Sequence, residues 1–201
     1  MKPQTVTSRF CHRFLRRFLR SLRRIGIRID PFLVVREGET PIDTDYDENA
    51  YTFGFLAEAD LAIIARLQPE FSREKASDWL RMGRLCYGVK NGSRLVANMW
   101  CDLVEFNHPP NYRLLSDDEV YLFAGYTHPE FRGHNLAPKM RAACYEALRT
   151  MGRSRFYSYT DFYNTAARRF KAKLNARDEM LRLHVDLFGK YSKTLTLKRF
   201  D

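Results

Sequence analysis

The stretch from residue 119 to residue 148 constrains the fold of this chain most strongly, because a strand pattern passes through a short turn directly into a helix pattern. Glu119–Thr127 is rich in β-branched and aromatic residues, and Pro129 ends the extended run. Beyond the turn, apolar residues recur at three- and four-residue steps over about 15 residues. They are Leu136, Met140, Ala143, Cys144, Ala147 and Leu148. The pattern predicts an α/β fold.

The turn between these elements is the N-terminus of the predicted helix. Backbone N–H groups there have no partner within the helix, and together with the helix dipole they favour an anion. Arg132 adds a fixed charge whose planar fork suits phosphate oxygens. This geometry is suited to a pyrophosphate; the alternative is an ordinary strand-to-helix turn with a solvated arginine.

A second strand-to-helix unit follows the first. Residues 154–160 alternate as a strand does, and residues 164–175 have helical spacing. The two units together resemble the signatures of the GNAT superfamily of acyl-CoA N-acyltransferases. The first signature, Arg/Gln-x-x-Gly-x-Gly/Ala after a strand ending in Val-x-Pro, is matched by Arg132 and Ala137 behind Thr127 and Pro129, with Asn135 in place of a glycine.

The second signature, Asn-x-x-Ala-x-x-Phe-Tyr-x-Lys-Leu-Gly, is in register at five positions. These are Asn164, Ala167, Phe170, Lys173 and Leu174. Asn175 replaces the final glycine, as Asn135 does in the first signature, and Lys171 stands at the tyrosine position. Asn is the non-glycine residue that best tolerates a left-handed backbone, so we expect both turns to persist.

The resemblance spans roughly residues 50–200 and implies both a fold and an activity. The implied fold is α/β, with a mixed, mostly antiparallel sheet, a splayed central parallel pair and helices on both faces. The implied activity is the transfer of an acyl group, most simply an acetyl group, from acetyl-CoA or another acyl-CoA to an amine acceptor.

The same resemblance implies the residues that bind the cofactor. The backbone at Gly125, Tyr126 and Thr127 would hold the pantetheine arm, and Asn164 and Phe170 would flank the thioester. The pyrophosphate would lie against the loop residues Arg132, Gly133, His134, Asn135, Leu136 and Ala137.

Two catalytic residues are predicted for the acyl transfer. Glu119, at the head of the central strand, is the candidate base for the amine, with Asp118 as the runner-up; for both, the alternative is a solvated acidic turn. Lys171 replaces the tyrosine that often protonates the thiolate in this family, so Tyr163 is the candidate acid. Tyr157 and Tyr159 are alternatives. Each of these three tyrosines could instead be an ordinary residue of the hydrophobic core.

Composition limits the class of protein. A chain of 201 residues, 45% hydrophobic and 29% charged, can form one core, and no apolar run reaches the roughly 20 residues that span a bilayer. The N-terminus lacks a signal-peptide core, so we expect a cytoplasmic protein. The four cysteines have no paired spacing and predict reduced, buried thiols, with no metal site.

The net charge of +10 is concentrated in one arm. Residues 1–30 hold nine of the 34 basic residues and one acidic residue, and the remainder carries only +2. Such a nearly neutral body argues against nucleic acid as a partner.

Residues 10–25 form an amphipathic pattern when they are placed on a helical wheel at 100° per residue. Six arginines then lie opposite a face of phenylalanine, leucine and isoleucine. This predicts a helix on an anionic membrane surface, at the inner face of the membrane; packing on the body or in a homodimer is the alternative.

The chain is therefore divided into a basic helical arm (1–28), a strand with an acidic linker (29–49) and an acyltransferase domain (50–201). Within residues 29–49, the strand is predicted over 31–36 and the linker over 37–49. Hairpins are predicted around Asn91-Gly92 and Gly189-Lys190, and Ser72 is a candidate helix N-cap. Residues 107–115 form a loop that could border a substrate. Two other functions remain open: a degenerate scaffold that binds a ligand without turnover, and a basic nucleic-acid-binding module.

Overall fold

The computed structural model describes residues 15, 17–38, 50–60, 62–64, 71–107 and 112–200. Residues 17–24 are helical and precede the first strand. The three helices with full bounds are α1 (Arg73–Arg81), α2 (Leu136–Arg149) and α3 (Thr165–Lys173). The strands are β1 (Ile27–Glu37), β2 (Thr52–Phe55), β3 (Leu85–Asn91), β4 (Arg94–Asp102), β5 (Glu105–Phe106), β6 (Arg113–Leu114), β7 (Glu119–Thr127), β8 (Arg155–Asp161), β9 (Arg177–Leu187) and β10 (Tyr191–Arg199).

Eight strands form one sheet in the order β10-β9-β1-β8-β7-β4-β3-β2. Neighbours in the sheet are antiparallel except for the central pair β7 and β8, which run parallel. The predicted fold class, a mostly antiparallel mixed sheet with a central parallel pair, is therefore confirmed. Strands β5 and β6 form a separate two-stranded ribbon.

Strand β1 lies inside the sheet, between β8 and β9. Its central residues are among the most buried in the protein: Phe32, Leu33, Val34 and Val35. The sequence pattern places this strand in a segment before the domain, whereas the sheet includes it, so the domain extends back to residue 27. Glu37, predicted as the first residue of a solvated linker, is the last residue of β1 and is buried. Residues 39–49 of that linker lie outside the described residues.

Helices cover both faces of the sheet. Helices α2 and α3 lie on one face, where the buried residues of α2 pack against β3, β4, β7 and β8. Helix α1 packs on the opposite face through Trp79, which contacts Trp100 of β4 and Phe123 of β7. On that face, the segment that contains β5 also contributes to the core, because Phe106 stacks on Tyr121. Cys86, Cys101 and Cys144 are free and buried, as predicted.

Local signals in the sequence act as predicted at several element ends. Ser72 caps α1 by accepting a hydrogen bond from the backbone of Lys75. The turn at Gly92 joins β3 to β4, and Gly189 lies in the turn that joins β9 to β10.

The described part of the basic arm leaves apolar side chains in solvent. Phe18 is 51% exposed and Ile25 is 61% exposed. Arg17, Arg20 and Arg24 are also exposed. Residues 10–14 and 16, on which the predicted segregation of faces also depends, lie outside the described residues. Within the described chain, none of the helices has the length and hydropathy that a membrane span requires.

Candidate functional site

The central parallel strands separate after four paired positions. Their register runs from Glu119 opposite Arg155 to Leu122 opposite Ser158, and no later pair follows although both strands continue. Beyond Ser158, β8 remains paired with β1 on its other side. A cleft therefore opens between residues 123–127 of β7 and residues 159–161 of β8, as the resemblance implies for the splayed pair.

A bulge in β7 shapes one wall of this cleft. Ala124 has a left-handed backbone with φ 46°, and the register with β4 shifts between Phe123 and Tyr126. Ala124 and Gly125 are exposed, and a Cβ added at Gly125 would meet no atom within 4 Å. Because β8 has diverged, the edge of β7 that faces the cleft offers backbone groups to an extended ligand. Gly125, Tyr126 and Thr127 lie on this edge, where a pantetheine arm would fit.

The predicted phosphate loop leads directly into α2. Asn135 precedes the helix with a left-handed backbone (φ 54°) and makes no side-chain cap, so the first N–H groups of the helix stay available. Gly133 also has a positive φ of 89° and open space beside it. Gly133, His134 and Asn135 are exposed, Ala137 is half-buried and Leu136 is buried in the core. The loop thus presents backbone donors at the positive end of a helix, a geometry that fits a pyrophosphate.

Two cations flank this loop. Among the described residues, the hydrogen bond of Arg132 runs from Nε to the carbonyl of Thr127 at 2.9 Å, and its guanidinium lies 5.8 Å from the ring centre of Tyr126. Lys173, at the end of α3, donates to Asn135 Oδ1 at 2.5 Å. Sequence reasoning placed Lys173 only in the second signature; its contact with the first depends on the packing of α3 beside α2.

The two remaining residues of the second signature lie on α3. Asn164 is exposed and caps the helix by accepting a hydrogen bond from Ala167 N at 3.0 Å. Phe170 is half-buried, with the guanidinium of Arg141 5.7 Å from its ring centre. Asn164 therefore has a definite structural role as a helix cap, while Phe170 packs between α3 and α2.

A cavity of about 430 Å³ lies at the point where the strands diverge. It is lined by aromatic rings and a few polar groups: Trp79, Arg84, Asn107, Tyr121, Leu122, Phe123, Ala124 and Tyr159. Arg84 is held in place by Asp102 at 2.6 Å and Glu105 at 3.3 Å, and its guanidinium lies over Trp79. This cavity is on the face opposite α2 and α3, where an acceptor could approach the cleft from the side away from the phosphate loop.

A second cavity, of about 620 Å³, adjoins the first at Tyr159. Its walls are the end of the N-terminal helix, β1 and the β9–β10 hairpin. The lining includes Tyr112, and Asn107 lines the first cavity, so two residues of the predicted bordering loop lie at the cavities. Residues 108–111 of that loop lie outside the described part of the chain.

Tyr159 is the first residue of β8 beyond the last parallel pair, and it lines both cavities. Its ring centre lies 5.1 Å from that of Phe32. Burial, reinforced by the negative charges of Asp161 and Asp30, raises the pKa of the Tyr159 hydroxyl to about 12. The hydroxyl therefore keeps its proton at neutral pH.

The surroundings of Glu119 argue against its predicted role as a base. Its carboxylate accepts a hydrogen bond from Arg113 at 2.5 Å and lies 3.3 Å from Arg155. Burial would raise the pKa of Glu119, but the hydrogen bonds and charges of these partners outweigh it and lower the pKa. Glu119 also precedes the bulge at Ala124 by five residues, about 16 Å of strand. A paired carboxylate at that distance from the cleft stabilises the sheet.

Tyr163, the predicted acid, lies in the turn between β8 and α3. Its backbone N–H donates to Asp161 Oδ1, and its ring contacts Phe162 edge-on. It lines neither of the two cavities. The geometry brings Tyr159 rather than Tyr163 to the junction of the cleft and the cavities.

Lys171, at the tyrosine position of the second signature, belongs to a buried polar cluster behind β8. Its Nζ donates to the carbonyl of Tyr159 at 3.0 Å and to the hydroxyl of Thr160, and it lies 3.7 Å from Glu37. Burial lowers the pKa of Lys171 to about 8 despite the nearby Glu37 carboxylate. This lysine ties α3 to the first residues of β8 beyond the divergence.

Glu37 is the centre of that cluster. Its carboxylate accepts hydrogen bonds from the hydroxyls of Tyr145 and Ser158, and it lies 3.2 Å from Arg141 Nε. Burial would raise the pKa of Glu37, but the charges of Arg141 and Lys171, with these hydrogen bonds, lower it. No local sequence pattern indicates this cluster, because its members come from four separate elements.

Comparison with protein-family models finds a match to the acetyltransferase (GNAT) family over residues 44–175. This range includes the cleft, the phosphate loop and α3. It excludes β1, β9 and β10, which build most of the larger cavity. No curated protein matches the chain.

Solved structures show the same fold. An acetyltransferase of the GNAT family from Novosphingobium aromaticivorans is 21% identical, with a TM-score of 0.57 over 81% of this chain and 66% of that one. A GNAT-family acetyltransferase from Colwellia psychrerythraea is 13% identical, with a TM-score of 0.60 over 80% of this chain and 56% of that one. AAC(6')-Iy, solved in complex with the bisubstrate analog CoA-S-monomethyl-acetylneamine, is 14% identical, with a TM-score of 0.50 over 62% of this chain and 88% of that one. The chain therefore spans less than two thirds of the length of the first two.

Proposed function

Because the chain belongs to the GNAT acetyltransferase family, whose members use acetyl-CoA or another acyl-CoA as co-substrate, we propose that it transfers an acetyl group to an amine acceptor at the junction of its two cavities. The observation that supports this most is the continuity of the site. The phosphate loop, the open edge of β7 and the aromatic cavity meet where β7 and β8 diverge.

The residues of the chain have separate tasks in this proposal. The loop from Arg132 to Ala137 binds the pyrophosphate, and the open edge at Gly125 orients the arm. Bound acetyl-CoA supplies the thioester carbon that an uncharged amine attacks; the new C–N bond replaces the C–S bond. The amine loses one proton and the departing thiolate gains one.

We assign proton donation to the thiolate to Tyr159. Its hydroxyl is protonated at neutral pH, and it lies at the divergence of the strands. Proximity supplies much of the acceleration, because thioester aminolysis depends on holding the amine and the thioester in a reactive arrangement. The aromatic rings of Trp79, Tyr121 and Phe123 line the adjoining cavity and give it an apolar wall.

The activity is tested by release of free thiol from acetyl-CoA in the presence of amines. We expect purified protein to release coenzyme A in step with acetylation of at least one acceptor in a panel of peptides, polyamines and the aminoglycoside sisomicin, the ligand of a structural neighbour. Binding of acetyl-CoA without acceptor-dependent release throughout the panel would favour the scaffold that binds without turnover.

Replacement of Tyr159 by phenylalanine is expected to lower kcat by about 100-fold, the lower range for loss of a general acid. The KM for acetyl-CoA should change little, because the hydroxyl is on the acceptor side of the cleft. Steady-state kinetics with a saturating acceptor measure both constants. Tyr163→Phe is the matched control, with an expected change in kcat of less than about threefold. A larger loss of kcat in Tyr163→Phe than in Tyr159→Phe would indicate that Tyr163, and not Tyr159, donates the proton to the thiolate.

We also propose that the basic arm holds the protein at an anionic membrane surface. Support comes from the exposure of Phe18 and Ile25 together with that of the arm's arginines. We expect the combined Arg17→Glu, Arg20→Glu and Arg24→Glu variant to lose sedimentation with vesicles rich in anionic lipid. At about 1 kcal/mol per charge, its partitioning should fall by more than about 100-fold.

A control variant carries the same change of charge elsewhere: Arg73→Glu, Lys190→Glu and Lys198→Glu, three exposed positions. It should sediment nearly as the parent protein does. Equal losses in the two variants would indicate attraction by net charge alone, and retention by the arm variant would contradict the proposal.

A further inference from the structure

The larger cavity is built mainly by parts of the chain outside the family match. The match ends at residue 175 and begins at residue 44, whereas the cavity lies between the N-terminal helix, β1 and the β9–β10 hairpin. The polar residues of these segments that line it include Arg23, Arg28, Asp30, His184, Asp186, Lys193 and Thr194. A cavity that shares Tyr159 with the first cavity and is formed mainly by segments outside the family match is suited to recognising the acceptor.

One guanidinium of this cavity, that of Arg28, makes a long ion pair but no hydrogen bond within the described part of the chain. Asp30 accepts a hydrogen bond from Arg23, and Asp186 Oδ1 accepts one from Gly189 N at 3.0 Å. Arg28 Nε is 4.0 Å from Asp30 Oδ2, too far for a hydrogen bond, and 56% of the Arg28 side chain is exposed. Among the residues that the structure describes, Arg28 has no hydrogen-bond partner, so its planar fork is free for a ligand.

Strand register fixes how far Arg28 lies from the reacting centre. Arg28, Asp30 and Phe32 alternate on one face of β1, and the ring of Phe32 contacts that of Tyr159. Phe32 lies four positions after Arg28 in the strand, so their Cα atoms are about 13 Å apart. The guanidinium leans toward Asp30, which brings it to a distance on the order of 10 Å from the rings.

We propose that this cavity is a recognition subsite for an anionic group, a carboxylate or a phosphate, that the acceptor carries on the order of 10 Å from its reacting amine, and that Arg28 binds this group. Asp30 and Arg23 form an ion pair with each other and are part of the wall of the subsite. His184 Nδ1 and the hydroxyl of Thr194 lie 3.2 Å apart on the neighbouring strands and complete the polar surface. This inference rests on the proposed acyl transfer, because it places the amine at Tyr159.

A series of glycine peptides tests whether the acceptor needs an anionic group and how far that group lies from the reacting amine. Diglycine to pentaglycine, each as the free acid and as the C-terminal amide, present an amine and an anion at increasing separation; three residues span about 10 Å. Gly-Gly-Gly-phosphoserine amide and its unphosphorylated form distinguish phosphate from carboxylate. We expect kcat/KM for one anionic form to exceed that of its neutral partner by about tenfold or more, with the largest ratio at three or four residues.

Arg28→Gln should reduce that ratio to less than about twofold, and Arg28→Lys should retain part of it. Arg81→Gln, a change of an exposed arginine on α1, is the control and should leave the ratio unchanged. Equal rates for charged and neutral peptides at every length, or an unchanged ratio in Arg28→Gln, would overturn the inference.

Calorimetry measures peptide binding at the subsite independently of acyl transfer. The same peptides are titrated into the full-length protein saturated with coenzyme A, a state that needs no turnover. Tighter binding of the anionic forms that depends on Arg28 supports the subsite even if no thiol is released. Absence of that preference, while acetyl-CoA is still turned over with another amine, contradicts the subsite alone.

Discussion

Replacing Glu37 with alanine is expected to lower the free energy of unfolding by about 3–5 kcal/mol, because it leaves two buried cations without their shared carboxylate. Arg141 and Lys171 are both almost fully buried, and Glu37 is the acidic partner that the structure gives to each in its described residues. A typical domain has only 5–15 kcal/mol of stability, so the loss is a large fraction of the total. Urea denaturation measures it as a fall in the midpoint at constant slope.

A matched control for this substitution is Glu146→Ala. Glu146 also pairs with an arginine, Arg149, but its side chain is 70% exposed, so its loss should change stability by less than about 0.5 kcal/mol. Similar midpoints for the two variants would show that the buried cluster does not stabilise the fold.

The contribution of Glu37 should depend on pH. Its pKa is lowered in the folded protein, so the folded state binds fewer protons than the unfolded chain between the two pKa values. The contribution is complete above the ordinary carboxyl pKa of 4.5 and is lost as the pH falls through the folded value. The difference in stability between the parent protein and Glu37→Ala should therefore shrink in acid.

Charge reversal at Arg132 is expected to weaken acetyl-CoA binding by at least about 100-fold. The change removes a charge-assisted contact to phosphate and adds a repulsive carboxylate beside the N-terminus of α2. Calorimetric titration of acetyl-CoA measures the affinity directly, independent of turnover. Arg132→Lys keeps the charge without the planar fork and should lose only about tenfold.

Arg132 also donates to the carbonyl of Thr127, so a loss of binding could come from a displaced loop. Arg132→Gln keeps a donor for this carbonyl and removes the charge. It should bind with an affinity between those of Arg132→Lys and Arg132→Glu. Parent-like affinity in Arg132→Gln would assign the effect to the hydrogen bond rather than to the charge, and parent-like affinity in Arg132→Glu would show that the phosphate does not bind at this loop.

The local features of the fold were readable from the sequence because they depend on nearby residues. Asn135 and Asn175 were expected to keep the left-handed turns of the glycines they replace, and their φ values of 54° and 51° confirm this. The hairpins and the Ser72 cap depend in the same way on short-range hydrogen bonds. The fold class was accessible because both signatures carry strand and helix patterns in fixed order.

Features that depend on distant segments were not readable. The insertion of β1 between β8 and β9 is a pairing of residues more than a hundred positions apart, which local periodicity does not encode. Glu37 follows an apolar strand and precedes acidic residues, so its pattern is that of a linker, and only the cations supplied by α2 and α3 explain its burial. The same limit applies to Tyr159, whose place at the cleft depends on where two strands separate.

Binding of acetyl-CoA across the open edge of β7 and the start of α2 can be measured by hydrogen–deuterium exchange with and without acetyl-CoA. The amides of residues 123–125 and 133–137 should exchange more slowly in the complex, because the ligand replaces water as their partner. Amides of the β9–β10 hairpin, which lies outside this path, should be unaffected. Binding of acetyl-CoA that leaves exchange at 123–125 and 133–137 unchanged would contradict the account.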